Sequence, residues 1–141
     1  MVKEGVIHST DSVIESWGNY NEFFNKMVES EDFTPLSRAH SKNLSNAIAS
    51  IKEGKSPVVF DNTCLRIREI SPIVEAALEL GIDDNNIRIE DVESNLSAEE
   101  LATRNSHGVP LEKIKTMMET KKSVGVLTVE KIVESIIKKL E

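Results

Sequence analysis

Apolar residues recur along most of the chain at intervals of three and four, which places them on one face of an α-helix. The clearest case is the last segment, where Val129, Ile132, Val133, Ile136 and Leu140 share a face. This periodicity predicts an amphipathic helix there. The same pattern predicts further helices at 13–29, 34–53, 71–80, from 97 onward, and at 110–121.

Residues typical of helix ends bound several of these segments. Thr34-Pro35 is typical of a helix start, and Gly54 is typical of the residue that follows a helix. Ser71 is expected to cap the helix that contains Pro72. Ser97 to Glu100 has the sequence of a capping box, and Thr128 is expected to cap the last helix.

Short β-branched or continuously apolar runs separate the helices and predict strands at 5–9, 57–60, 86–92 and 123–127. Strands that alternate with helices indicate a parallel sheet. We therefore predict an α/β fold of three layers, in which a mostly parallel sheet carries helices on both faces. The length of 141 residues fits one domain spanning 1–141.

Composition narrows the classes of function. The net charge of −7 argues against broad nucleic-acid binding through surface charge. No apolar run is long enough to span a bilayer, and the amino terminus lacks the apolar core of a signal peptide. The chain's one cysteine, Cys64, cannot form an internal disulfide. Together these features predict a soluble protein of a reducing compartment, the cytoplasm, with no membrane partner.

Polar side chains follow the first two predicted strands at the edge where open α/β folds bind ligands. Ser9, Thr10 and Asp11 come after the first strand. Asp11 is either a general base or, like Ser9, a cap of the following helix. Asp61, Asn62 and Thr63 come after the second strand. They would bind a phosphate-bound metal, a nucleotide hydroxyl or a neighbouring loop, and such residues also form ordinary Asx turns.

Cationic residues elsewhere are candidates for phosphate binding. Arg104 opens the segment Arg-Asn-Ser-His-Gly-Val-Pro, which also contains Asn105 and His107. A guanidinium on such a turn suits phosphoryl oxygens, and a solvated surface arginine is the alternative. Arg66 follows Asp-Asn-Thr and is placed either in the same cleft or on the surface at a helix start. His8, His40 and His107 show no metal-ligand spacing, so no metal site is predicted.

The ordered set of segments resembles the polynucleotide-kinase-like P-loop family, which includes bacteriophage enzymes and related AAA-type ATP-binding proteins. The segments are Ser-Thr-Asp, Arg38-Ala-His40, Ser-Pro-Val-Val-Phe-Asp-Asn-Thr and Arg-Asn-Ser-His-Gly-Val-Pro, and the resemblance covers about residues 5–118. It implies that Asp11 is the general base for a 5′-hydroxyl. It also implies that Asp61, Asn62 and Thr63 lie in the active-site cleft, and that Arg104 sits in a lid over ATP phosphates.

The chain departs from this family in its phosphate loop. Members begin with a strand, the loop Gly-x-x-x-x-Gly-Lys-Ser/Thr and a helix before the Ser-Thr-Asp strand, and we expect this chain to lack all three. The nearest string, Gly54-Lys55-Ser56, links a predicted helix to a predicted strand, the reverse of the order that a phosphate loop requires. We expect residues 123–141, beyond the family-like part at 1–122, to supply a strand and helix that replace the lost central strand.

These observations predict a non-catalytic, kinase-like binding protein, a pseudoenzyme. Its expected partner is a protein, a second copy of the chain, or a nucleotide or nucleic-acid end, and no cofactor is expected. One alternative is an ATP- and Mg-dependent polynucleotide 5′-hydroxyl kinase whose phosphate loop comes from elsewhere. Another is a pure protein-interaction factor, for example a viral inhibitor of a host protein.

Overall fold

The computed structural model describes residues 4–62, 66–90, 96–104 and 109–140. Two strands and seven α-helices are assigned within these ranges. In chain order they are β1 Val6–His8, α1 Thr10–Trp17, α2 Tyr20–Ser30, α3 Thr34–Lys52, β2 Val58–Phe60, α4 Ile67–Glu79, α5 Ala98–Arg104, α6 Leu111–Val124 and α7 Val129–Leu140.

The two strands correspond to the first two predicted strands, and they form a parallel pair as predicted. Val6 lies opposite Val58 and His8 lies opposite Phe60. At the start of the pair, the Val6 amide donates to the Pro57 carbonyl at 2.9 Å. A side chain on Gly5 would bring a Cβ to 2.7 Å from Pro57 Cδ, so glycine permits this close approach.

The predicted three-layer sheet with helices on both faces is wrong. In the described ranges the sheet has two strands, and most residues are helical. The proposed carboxyl-terminal replacement strand at 123–127 is also wrong. Ser123 and Val124 end α6, and Gly125, at φ 78°, caps that helix by donating its amide to the Lys121 carbonyl. Glycine there ends a helix instead of lying within a strand.

The predicted strand at 86–92 is wrong over the residues that are described. Asp84–Asn86 forms a single 3-10 turn, whose cap Asp83 accepts a hydrogen bond from the Asn85 amide at 2.9 Å. Ile87 and Ile89 are half-buried between exposed neighbours. The apolar alternation therefore reflects an extended segment with one covered side, and no ladder partner is assigned to it among the described residues.

Helix positions agree better with the prediction. Asn19 interrupts the segment predicted as one helix at 13–29, because its side chain accepts from the Glu22 amide and starts α2 anew. Helix α3 agrees with its prediction, although Asp32, not Thr34, accepts from the amide at its start. Thr128 caps α7 as predicted, accepting from the Lys131 amide at 3.2 Å.

Two smaller expectations about helix ends have different outcomes. The predicted cap at Ser97 is confirmed, since Ser97 Oγ accepts from the Glu100 amide at 3.2 Å. The Glu100 carboxylate accepts from the Ser97 hydroxyl at 3.3 Å, whereas in a full capping box it accepts from the backbone amide of the cap residue. Ser71 does not cap α4. It lies inside that helix and donates its hydroxyl to the Ile67 carbonyl, one turn earlier. Pro72 is the sixth residue of α4 and lies inside the helix, where it has no amide to donate to the Arg68 carbonyl one turn earlier.

The chain divides into two compact units, Met1–Thr63 with Ala76–Gly81, and Cys64–Glu75 with Ile82–Glu141. In the first unit, α3 packs against α1 and both strands. Its core contains Val13, Ile14 and Ala39, and these buried residues are covered by Tyr20, Phe23, Phe24 and Leu36.

In the second unit, α5 packs against α6. Ala98 and Ile114 are buried on these helices, and Ile132 and Ile136 are buried on the apolar face of α7. Burial of an amphipathic face against neighbouring elements is the main source of stability for helices of this length. No helix in the described ranges is both long enough and apolar enough to cross a membrane.

Candidate functional site

The carboxyl ends of β1 and β2 bring the two predicted polar segments together. Because the strands are parallel and in register, Ser9 and Thr10 leave β1 beside the point where Asp61 and Asn62 leave β2. The Asp61 amide extends the ladder by donating to the His8 carbonyl at 2.8 Å. Asp61 itself is exposed, and Asn62 is half-buried. The edge is therefore polar and partly accessible.

Thr10 is the centre of this edge. It is only 3% exposed, so its polar groups need partners inside the protein. Its amide donates to Asn62 Oδ1 at 2.9 Å, and its hydroxyl forms a 2.8 Å hydrogen bond with His40 Nδ1. These two bonds join the start of α1 to the end of β2 and to α3. Hereafter, Thr10, His40 and Asn62 are called the edge triad.

Ser9 serves as the cap of α1. Its Oγ accepts from the Ser12 amide at 3.1 Å and lies 2.8 Å from Ser12 Oγ. Ser9 has an extended backbone, and its hydroxyl accepts from the amide three residues later, which is the geometry of an N-cap. The sequence motif was compatible with a helix cap or a general base, and Ser9 is the helix cap.

Asp11 lies in the first turn of α1 and is exposed, so its carboxylate is accessible from solvent. It also pairs with Tyr20. The pKa of Tyr20 is raised to about 12, most of all by burial, and also by the Asp11 carboxylate, which accepts a hydrogen bond from the tyrosine hydroxyl, and by the charge of Glu15. Tyr20 is thus held as a neutral donor toward Asp11 at neutral pH.

His8 and the Gly-Lys-Ser string lie at the other end of α3. His8 Nε2 is 2.7 Å from Ser50 Oγ. Burial lowers the pKa of His8 below 6.5, and the Lys55 ammonium lowers it further. Lys55 forms an ion pair with Glu53 at 3.3 Å. The string Gly54-Lys55-Ser56 connects α3 to β2, as the sequence predicted, and so opens no helix.

The remaining predicted site residues lie elsewhere. Arg66 precedes α4 in the second unit, where its carbonyl accepts from the Glu69 amide at 3.0 Å. Arg104 is the exposed last residue of α5 in the same unit. Thr63, Asn105 and His107 fall outside the described residues. Among the residues described, no cluster of three or more His, Cys, Asp or Glu side chains is arranged to hold a metal ion.

A second surface of the first unit was not anticipated from the sequence. It is a cleft of about 260 Å³ bounded by the end of α1, the length of α2 and the start of α3. Trp17, Phe23 and Met27 form its apolar part, and Glu22 and Asp32 bring carboxylates to it. We call it the α1–α2 cleft.

Sequence reasoning also missed two partners in the polar edge. The sequence places His40 in the segment Arg38-Ala-His40 and indicates no partner for it, although it bonds to Thr10, thirty residues away. Tyr20, the chain's one tyrosine, contacts Asp11, and no local pattern in the sequence links the two. A helical-wheel plot of α3 would have placed His40 near the buried Ala39, Asn43 and Ala47 face, but nothing local indicates Thr10 as its partner.

Comparison with known proteins gives one informative likeness. The chain is 35% identical over 115 residues, or 82% of its length, to human NEDD4-binding protein 2. These residues span 6% of that much longer protein. No protein-family model and no solved structure matches the chain.

Proposed function

We propose that the chain is a non-catalytic binding module for a protein partner, derived from a polynucleotide-kinase-like ancestor. The observation that carries the proposal is that the residues of the edge triad form hydrogen bonds with one another. The Thr10 amide and hydroxyl, an Asn62 oxygen and a His40 ring nitrogen are all engaged with one another. Ser9 is likewise engaged as a helix cap. These side chains stabilise the junction of α1, α3 and β2, which leaves a ligand few of their polar atoms.

The charge requirements of phosphoryl transfer support the same proposal. That reaction depends on backbone amides and a lysine that grip the β- and γ-phosphates. In this chain the Gly54–Ser56 string follows a helix, and Lys55 is paired with Glu53. The described residues at the polar edge include the carboxylates of Asp11 and Asp61, which repel a polyphosphate unless a cation intervenes.

A protein is the partner class that the surface favours over a polyanion. The net charge of −7 disfavours unspecific contact with nucleic acid. Trp17 and Phe33 are about half exposed, at 51% and 52%, and exposed aromatic side chains are typical anchors of protein interfaces. The likeness to a human protein named for binding NEDD4 makes NEDD4 the first partner to test.

Isothermal titration calorimetry of the purified chain tests this proposal. We expect saturable heat on titration with NEDD4 and no heat of binding with ATP and Mg²⁺. The Trp17→Ala variant should bind NEDD4 more weakly if the exposed aromatic surface anchors the partner, by about tenfold or more. Saturable binding of ATP and Mg²⁺ would contradict the non-catalytic part, and absence of NEDD4 binding would remove NEDD4 as the partner.

A second candidate is the polynucleotide 5′-hydroxyl kinase, with ATP, Mg²⁺ and a phosphate loop supplied from elsewhere. One observation favours it. Asp11 is exposed and lies next to the edge triad at the carboxyl ends of parallel strands, where a hydroxyl substrate would approach. The test is transfer of labelled phosphate from ATP to the 5′ end of an oligonucleotide. Label that disappears in Asp11→Asn and persists in the control Glu15→Gln would establish the kinase.

A further inference from the structure

The α1–α2 cleft joins an open aromatic surface to carboxylates. The centroids of the Trp17 and Phe23 rings lie 6.2 Å apart with their planes at 48°, so Phe23 supports one side of the indole. Trp17 remains 51% exposed. A supported but half-exposed indole offers a rigid apolar face at little cost in side-chain entropy, which is the property of an interface anchor.

The charge around the cleft has one dominant sign. Residues 11–32, which form α1, α2 and the connection to α3, contain six carboxylate side chains and one lysine, Lys26. Glu22 and Asp32 line the cleft itself together with Lys26. The Asp32 carboxylate accepts from the Thr34 amide at 3.0 Å and from the Thr34 hydroxyl at 2.6 Å, which fixes its position. The charge of Arg38 on α3 also acts on Asp32, so the excess of carboxylates over the whole stretch 11–32, more than the two in the lining, is what favours a cation here.

The size of the cleft restricts its occupant. About 260 Å³ is below the range of pockets that enclose a whole drug-sized molecule, and it fits one or two side chains. A peptide side chain that is planar, cationic and able to stack would satisfy both the indole face and the carboxylates. Arginine has these properties, whereas the compact and strongly hydrated lysine ammonium stacks less well.

We infer that the α1–α2 cleft binds an arginine-bearing segment of a protein partner. The guanidinium stacks on Trp17 and faces the carboxylates of Glu22 and Asp32. This inference rests on the proposed function, because it takes the partner to be a protein, and it adds the chemistry of the recognised segment. It assigns the cleft, and not the polar strand edge, as the surface that binds the partner.

Trp17 supplies the measurement, since it is the chain's one tryptophan and lies in the cleft. The full chain is titrated with a short peptide that carries two arginines among otherwise uncharged residues, and Trp17 fluorescence is followed. Two matched peptides carry lysines or glutamates at the same places. We expect a saturable change with the arginine peptide, binding about fivefold to tenfold weaker for lysine, and no change for glutamate.

Matched variants of the chain separate the cleft from general charge attraction. Glu22→Gln removes a cleft carboxylate, and Glu29→Gln removes an exposed carboxylate of α2 that does not line the cleft. We expect Glu22→Gln to weaken the arginine peptide about fivefold and Glu29→Gln to weaken it less than about twofold. Far-ultraviolet circular dichroism of both variants checks that α2 is intact.

Several outcomes would overturn the inference. They are no saturable signal with the arginine peptide, equal weakening by the two variants, or tighter binding of an oligonucleotide than of the peptide. A Trp17 signal that changes with chain concentration alone would assign the cleft to a second copy of the chain. If the peptides fail while NEDD4 still binds, the inference falls and the proposed function stands. If ATP and Mg²⁺ bind, the proposed function falls whatever the peptides do.

Discussion

Both the amide and the hydroxyl of Thr10 form hydrogen bonds within the protein. A Ser-Thr-Asp sequence after a strand is compatible with a catalytic site, and the same residues are also common at the start of a helix. Burial decides between these roles for Thr10, which at 3% exposure donates its amide to Asn62 and bonds its hydroxyl to His40. Exposed Asp11, one residue later, is left as the accessible group of the motif.

The Tyr20–Asp11 pair can be tested by titration at the residue scale. Tyr20 is the chain's one tyrosine, so the ultraviolet absorbance of tyrosinate reports on it alone. Its midpoint should lie near a pKa of about 12. In Asp11→Asn the midpoint should fall toward the ordinary value of 10.0 without reaching it, because burial is the largest cause and remains. Equal midpoints in wild type and Asp11→Asn would show that the pair does not form.

Asn43 on α3 provides a second test at this scale. It is 1% exposed, and neither of its amide atoms has a hydrogen-bond partner among the described residues. Leucine has similar volume and no polar group to desolvate. Asn43→Leu should therefore raise the free energy of unfolding by about 1–3 kcal/mol in urea titrations. Asn43→Asp should lower it. A loss of stability in the leucine variant would mean that the amide has a partner.

At the scale of elements, one hydrogen bond connects the end of β2 to the start of α1. Asn62→Ala removes the acceptor of the buried Thr10 amide, and the free energy of unfolding should fall by about 1–3 kcal/mol. Asn62→Asp keeps an oxygen at that place and should recover most of the loss. Urea unfolding of the three proteins measures the effect. Equal stability of wild type and Asn62→Ala would contradict a structural role for Asn62.

Helices were predictable from this sequence to the extent that their signals are local. The period of apolar residues and the Thr128 cap define α7, and Ser97 with Glu100 defines the start of α5. Strands were predicted less well, because a strand also needs a neighbour. Val124-Gly125-Val126-Leu127 is apolar enough for a strand, yet Gly125 ends α6 and Val126 is 57% exposed. The sequence pattern carries no information on whether a pairing edge exists.

The candidate site shows the same division between local and distant information. That Ser9–Asp11 and Asp61–Asn62 meet followed from predicting two parallel strands, and the register confirms it. The bonds of His40 to Thr10 and of His8 to Ser50 join residues thirty and forty-two positions apart. Such pairs depend on how α3 packs, which no local motif specifies. The α1–α2 cleft was missed because the prediction joined α1 and α2 into one helix.

At the scale of the whole molecule, His8 makes stability depend on pH. Its folded-state pKa is lowered from 6.5 by burial and by Lys55, so the unfolded chain binds the proton more readily. The contribution of His8 is therefore present in full above the unfolded pKa and is lost as the pH falls below it. The melting temperature should fall more between about pH 7 and about pH 5 in wild type than in His8→Gln. Equal falls would contradict the lowered pKa.

The central claim is that the polar edge of this fold stabilises the protein and does not bind a nucleotide. A thermal-shift screen with ATP, GTP, Mg²⁺ and short oligonucleotides measures it most directly, because a ligand that binds only the folded chain raises the melting temperature. We predict no shift in wild type and a lowered melting temperature, still without a shift, in Asn62→Ala. A rise with ATP and Mg²⁺ that is absent from Asp11→Asn would contradict the account.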